Sequence, residues 1–185
     1  MSVATTIEVD GGVLVAHDGS AQAEAAVRTA ARLAAALGQP VTAVRAWNVS
    51  TAPRPSTAAP GYMPPFEDFE AATLAALEED LAPIRSENPG VTITAAVVHG
   101  SPAAKLIDAS DRADLIVVGS RGHGGFTGLL LGSVSEQVVR HATCPVVVDK
   151  VRKAGEPPAD QLQMEEALAS ELKLDRPADE GPTRT

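Results

Sequence analysis

Apolar residues follow two rhythms along the first 150 positions: short unbroken runs, and longer stretches in which they recur three and four apart. The run Gly12-Val-Leu-Val-Ala-His17 lies between a glycine and Asp18-Gly19-Ser20, residues that favour a turn and then a helix start. It predicts strand, turn, helix. Ala23, Ala26, Val27, Ala30, Leu33, Ala34 and Leu37 then share one helical face, Arg28 and Arg32 hold the other, and Gly38 supplies a stop. A face made mostly of alanine packs closely on a sheet. After Pro40, Val41 to Trp47 reads as a second strand. Residues 49 to 66 contain Pro53, Pro55, Pro60, Pro64 and Pro65 without any period, and so form a loop.

Helical spacing resumes at Phe66 and continues through Phe69, Thr73, Leu74, Leu77 and Leu81. Pro83 lies too deep for a first-turn proline, so the helix is expected to kink or end there. Val91 to Val98 reads as a strand. Ser101-Pro102 places a capping hydroxyl before a first-turn proline, which opens a helix expected to run to about Ala113 with Leu106 and Ile107 inward. Asp114 to Gly119 is the next strand. A glycine-rich stretch from Gly119 to Gly132, a helix from Ser133 to His141 and a last strand from Pro145 to Asp149 complete the series.

Strands alternate with helices, and the strands are near-continuous Val/Ile/Leu runs, the pattern of a parallel sheet covered on both faces. The fold class expected is α/β, a doubly wound open sheet. Beyond Lys150 the composition changes: Gly155, Pro157 and Pro158 make a linker, and Met164, Leu168 and Leu172 recur every four residues in an acidic background. The expected organisation is a domain over 1–150 and an acidic extension over 151–185. That extension is either weakly ordered or a single helix docking on the domain or a partner.

Charge narrows the function. With 24 acidic and 15 basic residues among 185, the formal charge of -9 works against binding nucleic acid or an anionic membrane, both of which need basic surface. Any phosphate partner must be gripped locally. The one cysteine, Cys144, has no partner for an internal disulfide. There is neither a secretory apolar core nor an apolar run of about 18 residues, so a cytoplasmic location is expected.

In open α/β sheets ligands bind beyond the carboxyl ends of the strands, where strand order reverses. The loops after Ala16 and after Val118-Gly119 lie there. The second, Gly119 to Ser133, contains Arg121 and no carboxylate. Its glycines let backbone N–H groups converge on an anion, and the helix that follows adds unpaired N–H groups and the positive end of its dipole. Ser133 and Glu136 fit a capping box, which leaves the Ser133 hydroxyl either to cap the helix or to bind a ligand. No Gly-Lys pair occurs in the chain and the glycines do not form G-x-G-x-x-G, so neither common phosphate fingerprint applies.

What the glycines do form is Gly119-x2-Gly122-x9-Gly132-Ser133, which resembles the nucleotide-binding motif of the universal stress protein family. The resemblance extends to Val15-Ala-His-Asp-Gly-Ser20, Ala46-Trp47, His99-Gly-Ser-Pro102 and Cys144-Pro-Val-Val-Val148, and covers residues 10 to 150. It implies a five-stranded, Rossmann-like parallel sheet in the order 3-2-1-4-5, and ATP as ligand. Carried over by position, Asp18 would approach the ribose or a metal, Mg2+, on the phosphates, and the backbone of Ala46 would meet the adenine edge. Gly119, Gly122, Gly132, Ser133 and Val134 would cradle ribose and phosphates, with Arg121 and Ser135 nearby and Ala16 and Val118 at the strand ends. The chain departs from the family at His17, where an apolar residue is more usual, and at Gly124-Gly125 in the loop.

Other side chains have plainer readings beside the chemical ones. His17 is a proton donor next to Asp18 or a packed strand residue. Trp47 lines an adenine pocket or fills the core. His99, His123, His141 and Cys144 lack metal-ligand spacing, and Asp108, Asp111 and Asp114 suit a solvated surface. Ser120, Thr127, Ser133 and Ser135 are phosphoryl acceptors or simply bond the backbone. Val146-Val147-Val148 would form an unprotected edge, which with the family resemblance implies a homodimer through Pro145 to Asp149. The leading expectation is an ATP-binding regulatory module of a stress or dormancy response, without turnover, since neither loop offers an evident general base. Its alternatives are a cyclic AMP binder, a slow ATPase or self-phosphorylating protein, and an adaptor that contacts a protein partner through the tail.

Overall fold

Residues 3–122 and 131–150 are described by the computed structural model, and within them nine elements alternate along the chain. They are β1 (Val13–Ala16), α1 (Ala21–Leu37), β2 (Val41–Trp47), α2 (Phe66–Glu87), β3 (Ile93–His99), α3 (Pro102–Ala109), β4 (Leu115–Gly119), α4 (Ser133–His141) and β5 (Val146–Asp149). All strand pairs are parallel, in the order β3-β2-β1-β4-β5. This is the doubly wound sheet expected. Strand order reverses between β1 and β4, and Val13 of the central β1 is in register with Val41 of β2 and Leu115 of β4.

The two-residue period of the strands divides the core into two. Val13, Val15, Val41, Ala43 and Val117 face α1 and α2, whereas Leu14, Val44, Val98, Ile116 and Val118 face α3 and α4. Burial on both sides is why these strands read as unbroken apolar runs. In α1 the Ser20 hydroxyl accepts from the Ala23 N–H at 3.1 Å, and Gly38 ends the helix in the left-handed region at φ 66°.

Several expected boundaries and faces are corrected. Leu37, the last residue of α1 before the Gly38 cap, is 59% exposed; Ala31 is buried instead. Leu74 likewise faces outward, beside the buried Thr73 and Leu77. The second helix does not stop at Pro83 but runs on to Glu87. Pro83 lies on the exposed side, as does Glu79, whose carbonyl proline leaves without its helical N–H partner. Beyond Pro83, Ile84 is fully buried, the Asn88 amide donates to Ile84 O at 2.8 Å and Arg85 Nε to Ile93 O at 2.8 Å. These contacts hold the last turn.

Ser101 and Pro102 take the expected capping and first-turn positions, but the Ser101 hydroxyl makes no capping bond. The helix closes at Ala109 rather than near Ala113, and the Ser110 hydroxyl bonds Ile107 O at 2.6 Å. β3 begins at Ile93, since Val91 still belongs to the turn closed by its N–H on Asn88 O. β5 begins at Val146, after a proline that has no N–H to give a ladder. Among the described residues no helix is long and apolar enough to cross a membrane. The segment 151–185 lies outside the described residues.

Candidate functional site

At the carboxyl ends of β1, β2 and β4 a cleft of about 800 Å3 opens, where strand order reverses. The structure brings all eleven residues singled out from the sequence to its wall. Ala16 and Asp18 come from the end of β1, Ala46 from β2, Val118, Gly119, Arg121 and Gly122 from β4 and the segment after it, and Gly132, Ser133, Val134 and Ser135 from the start of α4. His123, Gly124, Gly125 and Thr127 lie outside the described residues.

The start of α4 differs from the expected capping box. Gly132, not Ser133, takes the cap position, Ser133 is the first helical residue, and no side chain caps the helix. The Gly132 N–H donates to Ser120 O at 2.8 Å, and Gly132 O accepts the first helical bond from Glu136 N–H at 2.9 Å. Ser133, Val134 and Ser135 therefore have no partner for their N–H groups within the helix, and they line the cleft. The Ser135 hydroxyl is buried and donates to Gly119 O at 2.6 Å, so it braces the end of β4 against α4. The tightest approach to a glycine of this wall is at Gly122, where a Cβ would stand 2.4 Å from Asp18 Oδ2, so the Asp18 carboxylate would have to move. At Gly132 a Cβ would have nothing nearer than Arg121 Cα at 3.5 Å.

Opposite this helix start, the β1–α1 turn is shaped by two bonds. The Ser20 N–H donates to Asp18 Oδ1 at 3.0 Å, and the Gly19 N–H donates to His17 Nδ1 at 3.2 Å. His17 is buried, and of its two sequence readings the packed one describes it. Its Nδ1 also accepts from Arg45 Nη2 at 2.6 Å, and the same Nη2 lies 2.5 Å from Asp80 Oδ2 on α2. Since Nδ1 receives two donors, the ring proton of the neutral imidazole sits on Nε2. Burial and the Arg45 guanidinium hold the imidazole below its ordinary pKa, against the opposing carboxylates of Asp80, Asp18 and Glu24.

Trp47 is buried at the end of β2, as its core reading expects, and it also borders the cleft. Its ring lies against His99 at 4.8 Å and stacks on Phe69 at 6.4 Å. The acidic run is exposed as expected, but Asp114 also accepts from the Gly12 N–H at 2.7 Å and Asp111 from the Thr143 hydroxyl at 2.8 Å. Burial pushes the Cys144 thiol up. Among the described residues no three His, Cys, Asp or Glu side chains are grouped to hold a metal ion.

Arg45 and Lys105 also border the cleft and went unremarked in the sequence. A readable signal existed for Arg45, a charge inside the largely apolar strand Val41–Trp47, which demands a counter-ion. That counter-ion, Asp80, is 35 residues away and only the fold identifies it.

Residues 12–152 match the universal stress protein family. The universal stress protein Rv2623 of Mycobacterium tuberculosis is 38% identical over 137 residues, which are 74% of this chain and 44% of that protein. The chain thus spans about half the length of the curated relatives it matches. Among solved structures, a universal stress protein in complex with cAMP is 27% identical with a TM-score of 0.55, covering 78% of this chain and all of that one. A universal stress protein from Archaeoglobus fulgidus is 26% identical with a TM-score of 0.54, covering 77% of this chain and 98% of its own. With the family match running from β1 through β5, this chain belongs to the universal stress protein family.

Proposed function

We propose that this chain is an ATP-binding regulatory module, with the nucleotide held in the cleft between the Asp18 turn and the Gly119–Ser135 wall. The observation that carries the reading is the start of α4, where three successive N–H groups without helical partners line a cleft at the strand-order reversal. Such a site takes phosphate through backbone donors and the helix dipole, which suits an acidic protein. Gly119, Gly122, Gly132, Ser133 and Val134 form the cradle, with Arg121 at its exposed rim and Ser135 bracing it from behind. Ala16, Ala46 and Val118 border the base and ribose. Asp18 meets the ribose, or Mg2+ carried on the phosphates; with no cluster of metal ligands among the described residues, a metal would come with the nucleotide. Signalling by occupancy requires no turnover, and the chain acts in a cytoplasmic stress response.

Cyclic AMP is the second reading, supported by the similar protein solved in complex with it. Native mass spectrometry of the purified protein followed by calorimetry with ATP and cyclic AMP tests both. We expect ATP to bind more tightly and Gly132→Glu, which sets a carboxylate against the phosphates, to abolish binding of either. Tighter binding of cyclic AMP selects the second reading, and unchanged affinity in Gly132→Glu removes the cradle assignment.

A further inference from the structure

The β1–α1 turn and the segment after β4 face each other at Asp18 and Gly122, where a Cβ on Gly122 would displace the Asp18 carboxylate as it stands. The position of the turn therefore sets the shape of the cleft at that point. Asp18 and Gly19 are themselves exposed, and beside the Ser20 N–H bond to Asp18 Oδ1 one bond ties the turn to the interior.

The bond from the Gly19 N–H to His17 Nδ1 reaches into the interior. The imidazole has no exposed surface and the Arg45 side chain is 10% exposed. The two meet because the His17 N–H continues the β1–β2 ladder onto Val44 O, which sets His17 beside Arg45. Arg45 Nη2 carries two hydrogens, enough for both His17 Nδ1 at 2.6 Å and Asp80 Oδ2 at 2.5 Å. A line of hydrogen bonds thus runs from α2 through β2 and the His17 ring to the Gly19 amide. An apolar ring of similar size would fill the same space without specifying where Gly19 sits.

We infer that His17 is a positioning residue for the β1–α1 turn, fixing Gly19 and with it the Asp18 carboxylate against Gly122, and that Arg45 and Asp80 anchor it to α2. The consequence for affinity rests on the nucleotide reading given above; the hold on the turn does not. None of the three side chains belongs to the phosphate cradle.

The test combines amide hydrogen exchange at Gly19, read by NMR without ligand, with ATP calorimetry on wild type, His17→Phe and His17→Asn. The asparagine Oδ1 restores an acceptor near the place of Nδ1, whereas phenylalanine offers none. Gly19 should exchange several-fold faster in His17→Phe and return toward wild type in His17→Asn. ATP affinity should fall about fivefold to tenfold in the first, the range that one hydrogen bond commands, and recover in the second. Unchanged Gly19 exchange in His17→Phe overturns the inference, as does equal loss in both variants. If Gly19 responds as expected while wild type binds no ATP, the positioning role stands and the nucleotide reading falls. Should His17→Phe fail to fold, the imidazole nitrogen chemical shifts of wild type decide the matter: a proton on Nδ1 instead of Nε2 overturns the inference.

Discussion

Replacing Gly122 by alanine sets the two walls of the cleft against each other. The new Cβ would lie 2.4 Å from Asp18 Oδ2, about 1 Å inside an ordinary carbon–oxygen contact. Either the carboxylate swings away or the segment after β4 retreats. Swinging strains the bond that Asp18 Oδ1 accepts from the Ser20 N–H at 3.0 Å. A hydrogen bond to a charged group is worth about 1.5–3 kcal/mol, so a ligand that needs Asp18 in place should bind about tenfold to a hundredfold more weakly to Gly122→Ala. Gly132→Ala is the matched control, because its Cβ would meet nothing nearer than 3.5 Å and the backbone there is in an ordinary extended conformation. Calorimetry with ATP on wild type and both variants, with thermal unfolding as a check on the fold, measures the difference. Affinity of Gly122→Ala within about twofold of wild type, or weaker binding by Gly132→Ala than by Gly122→Ala, refutes the reasoning.

Three further outcomes follow from packing and charge. Because burial holds the His17 imidazole below its ordinary value of 6.5, the unfolded chain takes up the proton first. Stability is therefore complete above pH 6.5 and declines as pH falls below it, until the folded imidazole protonates as well; urea midpoints measured from about pH 5 to 8 should show this slope in wild type and a shallower one in His17→Phe. Leu77→Ala, at a fully buried position, should cost about 2–5 kcal/mol in urea unfolding, and Leu37→Ala, at a position 59% exposed, less than about 0.5 kcal/mol. If the β5 edge pairs with a second copy, Val147→Lys should convert a dimer to a monomer by light scattering at micromolar concentration; a monomeric wild type would remove the dimer.

The elements that were legible are those governed by local pattern. Ser20 before an alanine face and Gly38 after it bracket α1 with no reference to the rest of the chain, and the structure places α1 at Ala21–Leu37. Pro83 does not end α2, because its cost is local while the compensation is not. Ile84 packs on the sheet and Arg85 Nε reaches Ile93 O on the first residue of β3, and those partners exist only after the chain has folded. Ser133 misled for a similar reason. Its hydroxyl suits a cap, but the Gly132 N–H bonds Ser120 O across the loop, and that contact draws the helix start back by one residue.

By itself, then, the sequence determined the alternation of buried strands with helices, the glycine pattern after β4 and an acidic charge unsuited to nucleic acid, because hydrophobic period, turn chemistry and net charge depend on neighbours in the chain or on none. Only the tertiary structure decided that Gly122 stands against Asp18, that Ser135 braces Gly119 and that Arg45 joins His17 to Asp80. Each of these pairs joins different elements of the fold, and which side chains meet there depends on the order and register of parallel strands, which residues adjacent in sequence do not record.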